Sequence, residues 1–287
     1  SLGVQTFDGD TQARVNRIQS FDRVATATHR LRQMGVDAIN FDLMYGLPGQ
    51  TPENVAASAS AAASLRPDRV AVFGYAHVPW MKKHQVMIRE GELPDGDERW
   101  AQAEAADSVL RAEGYLRIGL DHYALPGDPL ARAAAAGTLR RNFQGYTDDP
   151  APVLVPIGPS SIGRLAAGFV QNAAATDVWS RAVEAGRLPV ARSLRVSAED
   201  DLRAGVIERL MCDLSVDVGA ECVSRGFEPT ALDDSIAAAS ALQVDGLCRV
   251  EGRTVTIPAE AFRLMRVVAA CFDAGLLTVE RRHARAV

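Results

Sequence analysis

Cysteine is scarce in this chain, and the cysteines that are present lie far apart. The 287 residues include four of them, Cys212, Cys222, Cys248 and Cys271, none within a few residues of another. This spacing excludes a zinc knuckle or a cluster-binding cysteine run within the chain. Their apolar neighbours predict buried thiols in a reducing cytosol, so we expect a cytoplasmic protein.

The sequence also lacks an excess of positive charge and a long apolar run. Its formal net charge of −5 argues against a protein that coats nucleic acid or lies on a membrane surface. No apolar run approaches the length of a membrane span, and no signal peptide opens the chain. We therefore expect neither nucleic acid nor membrane among its partners.

The chain has no initial methionine, and its first residues, SLGVQTF, begin inside a predicted strand. Further strands are predicted over 38–44 and 70–75, with helices between them. This alternation with short loops is typical of parallel βα units. Because three strands cannot close a barrel and a parallel sheet needs cover on both faces, we expect the downstream part of a longer protein.

One motif, residues 40–51, organises the first half of the chain. Its sequence, NFDLMYGLPGQT, is an apolar strand with one acid, Asp42, followed by a turn and a helix start at Thr51 and Pro52. Side chains near the carboxyl end of a strand point into the active site of a β/α protein, and a carboxylate there can bind ribose hydroxyls. The alternative is a carboxylate that ties a loop or caps a helix.

Beyond residue 80 the predicted elements are more varied. Helices are predicted over 81–89, 97–113, 129–136 and, capped by Thr176, 176–185. Strands are predicted over 115–120, leading into Asp121, His122 and Tyr123, and over 153–157. Residues 140–147 suit a binding loop, and residues 186–191 suit a linker.

From Ser197 the pattern changes to helices and one β-hairpin. Helices are predicted over 198–213, 217–225, 229–241 and 259–275, with the hairpin before the last of them. This order resembles a winged-helix module, but its acidic balance disfavours phosphate-backbone binding and favours a structural cap or lid. We therefore predict two domains, residues 1–190 and 191–287.

Three residues besides Asp42 are candidate ligands of one small molecule. Gln5 and Ala76 lie at the ends of predicted neighbouring strands, where one ligand can contact both of them and Asp42. Arg17 follows the first strand and can pair with a carboxylate of that ligand, or remain a solvated surface arginine.

Two basic stretches with aromatic neighbours can dock a planar substrate that carries several carboxylates. The basic residues are Lys82, Lys83, His84, Arg140 and Arg141, and the aromatic residues are Trp80, Phe143 and Tyr146. Ordinary solvated charge is the alternative. His77 and His122 lack the spacing of a metal site, and residues 158–163 lack the lysine of a P-loop.

Several strings resemble one protein family in the right order. They are GVQ at 3–5, VNR at 15–17, the 40–51 motif, PDRVAVF at 67–73, YAH at 75–77, GLDHY at 119–123, RNFQGYT at 141–147 and ERLMC at 208–212. Together they are similar to the oxygen-independent coproporphyrinogen III oxidases, which are radical S-adenosylmethionine (SAM) enzymes of haem biosynthesis. NFQGYT is the most specific of these strings.

The resemblance implies an α/β fold, in which the C-terminal part of a partial (β/α)6 radical SAM barrel precedes a mostly helical, winged-helix-like C-terminal domain. It also implies a [4Fe–4S] cluster on a Cys-x3-Cys-x2-Cys loop, which lies upstream in the family and has no counterpart here. We therefore expect no metal ligand in this chain and no activity from the chain by itself.

The resemblance also implies roles for individual residues. The SAM contacts are Gln5, Arg17, Asp42, Ala76 and Ile162, with Asp42 on a ribose and Ala76 acting through its backbone. Phe143 and Gln144 line the region of the substrate or a second SAM, and Arg140 and Arg141 join them as the carboxylate-docking candidates named above.

In the family's reaction, a deoxyadenosyl radical takes hydrogen from a propionate side chain, and loss of CO2 and one electron leaves a vinyl group. Two propionates of coproporphyrinogen III react, which gives protoporphyrinogen IX. The implied partners are coproporphyrinogen III, SAM, an electron donor and an electron acceptor, and we expect the full-length oxidoreductase to be a monomer. The alternatives are a haem chaperone of the same superfamily, which generally lacks the strings at 15–17, 76–79 and 142–147, and a non-catalytic fragment that binds or scaffolds.

Overall fold

The computed structural model describes residues 1–275. Contacts group them into two compact units, Ser1–Leu139 and the described residues from Arg140 onward, and each unit is described by itself. The predicted boundary between residues 190 and 191 lies within the second unit and stays a prediction, and residues 276–287 of the predicted second domain lie outside the described residues. No helix in the described range is long and apolar enough to cross a membrane.

The first unit alternates strands and helices, as predicted. Its strands are β1 (Leu2–Gln5), β2 (Asn40–Tyr45), β3 (Arg69–Gly74), β4 (Leu116–Ile118) and β5 (His122–Ala124), and its α-helices are α1 (Gly9–Arg14), α2 (Phe21–Gln33), α3 (Pro52–Ser64), α4 (Gly96–Ala112) and α5 (Pro129–Ala135). The helix predicted over 81–89 is wrong, because two 3-10 turns, Lys83–Met87 and Glu90–Glu92, occupy that region. The segment buries no apolar face, since Met81, Val86 and Met87 are exposed.

The five strands form one sheet in the order β1-β2-β3-β5-β4. Strands β1, β2 and β3 are parallel, which confirms the predicted βα units. The strand predicted over 115–120 is present but shorter, as β4, and it forms an antiparallel hairpin with β5 beside β3. The chain turns at Gly119, whose φ of +59° favours glycine, and His122 therefore lies inside β5 instead of following a strand.

The two faces of the parallel sheet differ. Alternate residues of β2, namely Phe41, Leu43 and Tyr45, are buried in a core shared with the alanine-rich faces of α3 and α4. The intervening Asp42 and Met44 are only partly buried. Because strand side chains alternate, Asp42 lies on the face of the sheet opposite these helices.

Helix α3 begins where the sequence predicts. The hydroxyl of Thr51 accepts a hydrogen bond from the Asn54 backbone N–H (3.4 Å), and Asn54 Oδ1 accepts one from the Thr51 N–H (3.0 Å). Pro52 takes the first helical position, where its missing N–H costs no hydrogen bond. The loop after β2 is thus joined to a helix with a well-defined start.

Replacing Thr51 with alanine should lower the free energy of unfolding by about 1 kcal/mol, because one helix N–H loses its acceptor. Thr51→Ser keeps the hydroxyl and should stay close to the wild type. Urea denaturation followed by circular dichroism measures the difference. Equal stability of the alanine variant and the wild type would contradict a contribution from this cap.

The second unit contains short strands and a group of helices. Its strands are β6 (Arg140–Asn142), β7 (Gly145–Thr147), β8 (Ile162–Leu165), β9 (Gly168–Asn172), β10 (Val190–Arg195), β11 (Ser215–Asp217), β12 (Arg249–Glu251) and β13 (Thr254–Thr256). Its helices are α6 (Thr176–Glu184), α7 (Ala198–Asp213), α8 (Val218–Ser224), α9 (Asp233–Ala241), a 3-10 helix (Ala259–Leu264) and α10 (Met265–Ala270). The strands form three sheets, β6-β7, β10-β9-β8 and β11-β13-β12.

Helices α7 to α9 and the β11-β13-β12 sheet make the mostly helical, winged-helix-like part of the chain. The predicted hairpin is β12–β13, with its turn at Gly252. The sequence did not indicate β11 as its third strand. The helix predicted over 259–275 is shorter than expected and divides into the 3-10 helix and α10.

Three local predictions in the second unit are wrong. Residues 153–157 form no strand: Leu154 pairs with Arg164 in an isolated bridge, and Pro156 has no N–H to extend the pairing. The predicted linker over 186–191 runs into β10, which pairs with β9. The cap position of α6 is Ala175 rather than Thr176, and no side chain caps that helix.

Candidate functional site

Asp42 lies in the middle of β2, beside Gly3 of β1 and Ala71 of β3 in the sheet register. Its Oδ1 accepts a hydrogen bond from Asn40 Nδ2 (2.8 Å), and its Oδ2 accepts one from the Ser1 hydroxyl (2.8 Å). A carboxylate has about four acceptor positions, so it can accept further hydrogen bonds. The structure therefore presents a partly exposed acceptor on the face of the sheet opposite α3 and α4.

Gln5 and Arg17 both lie beside Gly3, the residue of β1 that pairs with Asp42. Arg17 Nη2 donates a hydrogen bond to the Gly3 carbonyl (2.7 Å). A Cβ atom at Gly3 would come within 2.8 Å of Gln5 Nε2 and 3.3 Å of Arg17 Nη2, so a larger residue here would require the ends of these two side chains to shift. Because Gly3 pairs with Asp42, the structure brings three of the predicted SAM residues together: an amide, a guanidinium and a carboxylate.

Ala76 follows β3 by two residues and is exposed. Its carbonyl accepts a hydrogen bond from Gln85 Nε2 (3.1 Å), while Gln85 Oε1 accepts one from the Val78 N–H (2.6 Å). Gln85 is buried, so it holds the turn after β3 in one conformation. The backbone at Ala76 is thus presented to solvent at the carboxyl end of the sheet.

The sequence did not indicate Arg99 of α4, a buried arginine beneath this end of the sheet. Only 7% of its surface is exposed, and its Nη2 donates to the Tyr75 carbonyl (3.0 Å). Its guanidinium lies 5.8 Å from the centre of the Tyr45 ring. Cβ atoms at Gly46 and Gly74 would come within 2.7 and 3.0 Å of its nitrogens. Burial lowers the pKa of Arg99, and the nearby Tyr45 opposes that shift.

Gln102, one turn after Arg99, ties down the loop that follows β2. Its Oε1 accepts from the Gly46 N–H (2.8 Å), and its Nε2 donates to the Gln50 carbonyl (2.8 Å). Gln50 in turn accepts from the Leu47 N–H (2.8 Å) and donates to the Met44 carbonyl (2.9 Å). The only sequence signal for this arrangement is that Arg99 and Gln102 are polar residues on the inward face of α4.

The segment predicted as a binding loop, residues 140–147, is the β6–β7 hairpin of the second unit. Asn142 Oδ1 accepts from the N–H groups of Gln144 (2.8 Å) and Gly145 (3.2 Å), which shapes its turn. Phe143 is 45% exposed. Tyr146, predicted to cover a substrate face, is instead buried and donates to the Met211 carbonyl (3.0 Å), so it anchors the hairpin.

The two arginines of the hairpin have different surroundings. Arg140 Nε donates to Glu208 Oε1 (2.9 Å), which also accepts from the backbone N–H of Arg141. The Arg141 guanidinium lies 5.5 Å from the centre of the Tyr146 ring. Ile162 begins β8 in the same unit and is partly exposed.

The remaining histidine and basic candidates have mainly structural surroundings. His122 Nδ1 is 2.6 Å from Asp121 Oδ1, and its ring packs edge-on against Phe73. His77 Nδ1 is 3.3 Å from the Tyr75 hydroxyl. Trp80 is about half exposed, and the neighbouring basic residues Lys82, Lys83 and His84 are exposed.

The residues at the sheet face fit SAM but not an iron–sulfur cluster. The acceptor at Asp42 suits ribose hydroxyls, and the Gly3 backbone leaves room for the polar groups around it. Within residues 1–275, no three His, Cys, Asp or Glu side chains are grouped as metal ligands, and the four cysteines are free thiols. Burial raises the pKa of Cys212 to about 12, which keeps it protonated.

Comparisons with known proteins agree with the motifs. No family model matches the chain. It is 46% identical over 287 residues to the oxygen-independent coproporphyrinogen III oxidase of Bradyrhizobium diazoefficiens, covering 100% of this chain and 64% of that relative. It is 34% identical over 290 residues to the Pseudomonas aeruginosa protein of the same name, covering 99% of this chain and 62% of that relative.

One solved structure is also similar over most of the chain. The Escherichia coli coproporphyrinogen III oxidase, described as a radical SAM enzyme, superposes with a TM-score of 0.89 at 32% identity, covering 95% of this chain and 63% of that one. The chain thus spans less than two thirds of the length of the relatives it matches.

The parallel sheet with its partial-barrel topology, together with this structural match, defines a radical SAM protein. Within that class, the chain belongs to the family of the oxygen-independent coproporphyrinogen III oxidases. The family and the fold class predicted from the sequence are therefore confirmed.

Proposed function

We propose that this protein takes part in the oxygen-independent conversion of coproporphyrinogen III to protoporphyrinogen IX, in which two propionate side chains lose CO2 and become vinyl groups. The observation that carries this proposal is the convergence of Asp42, Gln5 and Arg17 around Gly3 on the sheet face opposite α3 and α4. In this proposal SAM binds there, with its ribose against Asp42 and its charged end against Gln5 and Arg17.

The residues of this chain bind and orient SAM, which supplies the radical when it is bound. The Asp42 carboxylate accepts hydrogen bonds from the ribose hydroxyls. Gln5 and Arg17 offer donors to the polar end of the same ligand, and Arg17 suits a carboxylate. Ala76 contributes through its backbone, and Ile162 contributes an apolar contact.

Substrate binding, or binding of a second SAM, is assigned to Phe143, Gln144, Arg140 and Arg141. The exposed Phe143 ring offers an apolar surface, and the arginines offer positive charge to propionate groups. The cysteines of residues 1–275 are free thiols and do not form a site for a [4Fe–4S] cluster. We also propose an electron donor and an electron acceptor as partners. The proposed protein is a monomer located in the cytoplasm.

The test is an anaerobic assay of the full-length gene product with SAM, a reductant and coproporphyrinogen III. The expected result is SAM-dependent formation of protoporphyrinogen IX with release of two CO2 per substrate, measured by chromatography of the oxidised porphyrins. The proposed enzymatic function would be contradicted by a preparation that contains the cluster and binds SAM and coproporphyrinogen III but forms no product.

A further inference from the structure

The second unit contains a partly open cavity of about 420 Å³. We call it the arginine cavity, because Arg141, Arg164 and Arg225 contribute to its lining. Strands β6, β8 and β9, the segment around Leu154, and helix α7 form its walls. The cavity lies entirely within one compact unit, so its geometry depends only on the contacts of that unit.

Two of these arginines already have acidic partners. Arg164 Nη2 donates to Asp201 Oδ1 (3.1 Å), and Arg225 Nε lies 3.6 Å from Asp201 Oδ2. Arg225 also pairs with Glu221, and it packs against the bare backbone of Gly205 in α7. The positive charge of this side of the cavity is therefore balanced by the protein itself.

Arg141 is different. Its Nε is buried without a hydrogen-bond partner, and no carboxylate among the described residues forms an ion pair with its side chain. Glu208, an acid that also lines the cavity, pairs with Arg140 and accepts only the backbone N–H of Arg141. Arg141 as a whole is partly buried, and a guanidinium with a buried, unpartnered N–H and no counter-charge is suited to an incoming anion.

The other walls indicate what kind of anion fits. Phe143, Leu154, Phe169 and Met211 line the cavity beside Arg141. A bare inorganic ion would leave these apolar surfaces without contacts, whereas a carboxylate attached to an apolar body would bury them. A volume of about 420 Å³ admits one such arm with part of its ring, or a free short-chain acid.

We propose that the arginine cavity binds a carboxylate with an apolar body, one propionate-bearing arm of the tetrapyrrole substrate, through the side chain of Arg141. This inference rests on the proposed function for the identity of the substrate. It separates the two arginines of the hairpin: Arg140 is held by Glu208, and Arg141 makes the ion pair with the ligand.

The experiment measures binding of coproporphyrin III, the stable oxidised tetracarboxylate, to the full-length gene product by fluorescence titration. Arg141→Met should raise its Kd about tenfold through loss of a charge-assisted pair. Arg141→Lys should recover part of the affinity. The tetramethyl ester of the porphyrin should bind weakly and equally to all variants. Arg253→Met is the matched control, because Arg253 pairs with Asp233 and does not line the cavity.

Each outcome decides one point. An Arg141→Met variant with a wild-type melting curve and unchanged Kd overturns the proposal, as does tight binding of the ester. Butyrate can also be tested as a free short-chain acid. If it raises the melting temperature of the wild type but not of Arg141→Met, while the Kd for coproporphyrin III is the same in both, the cavity binds free acids. The assignment to a substrate arm would then be wrong. Arg141-dependent porphyrin binding in a protein without decarboxylase activity would leave the cavity assignment standing and remove the proposed function.

Discussion

Replacing Asp42 with alanine should weaken SAM binding about a hundredfold. Hydrogen bonds from two ribose hydroxyls to a carboxylate contribute roughly 3 kcal/mol together, which corresponds to two orders of magnitude in Kd. Asp42→Asn keeps one acceptor oxygen and should lose only about tenfold. Isothermal titration of SAM into the full-length gene product measures both values.

Asp42 can instead have a structural role. Asp42 accepts hydrogen bonds from Ser1 and Asn40, so its loss can also disturb the local contacts between β1 and β2. Melting curves separate the two roles. A variant that is less stable but binds SAM normally would show that the carboxylate is structural. Asp37→Ala removes an exposed carboxylate shortly before β2 and should change neither quantity.

Asp42 could be found from the sequence because its signals are local. One acid in an apolar strand, followed by a glycine turn and a capped helix, predicts a strand–loop–helix unit, and the alternation of buried residues places the acid on the face away from the helices. The structure adds Gly3 as the partner in the sheet register, and with it the meeting of Gln5 and Arg17. The parallel strands β1 to β3 followed from the same local pattern.

Other features depend on residues distant in sequence and were not predictable in this way. The β4–β5 hairpin was missed because its pairing with β3 is not encoded in either short segment. The sequence does not indicate strand β10, and its first two residues fall in the predicted linker, because all of its residues are exposed and show no buried alternation. Arg99 was overlooked for a related reason: a polar residue in an amphipathic helix normally faces solvent.

The position of Arg99 has a consequence for the proposed SAM site. The Tyr75 carbonyl that accepts from Arg99 and the Ala76 N–H belong to the same planar peptide group. The N–H of Tyr75 is also held, by the Tyr45 carbonyl (2.8 Å). With both sides of Tyr75 tied to the core, the Ala76 backbone proposed to contact SAM has one orientation. We therefore expect Arg99 to act as a positioning residue for the proposed SAM contact at Ala76.

Replacing Arg99 with methionine should therefore raise the Kd for SAM about thirtyfold, because the peptide at Ala76 loses a hydrogen bond from a charged donor worth roughly 2 kcal/mol. Arg99→Lys restores a charged donor and should recover part of the affinity. Gly46→Ala tests the same contact from the other side: its Cβ would come 2.7 Å from Arg99 Nη1, at a backbone φ of +81° that favours glycine.

The matched control lies at the opposite end of the same strand. Arg69, the first residue of β3, pairs with the buried Asp128 (2.7 Å). Arg69→Met should destabilise the fold, because it leaves Asp128 without its partner, yet the peptide at Ala76 keeps its support. If Arg69→Met and Arg99→Met weaken SAM binding equally at equal loss of stability, Arg99 serves the fold alone. A loss of affinity confined to Arg99→Met and Gly46→Ala means that the buried guanidinium sets the orientation of the SAM-binding backbone.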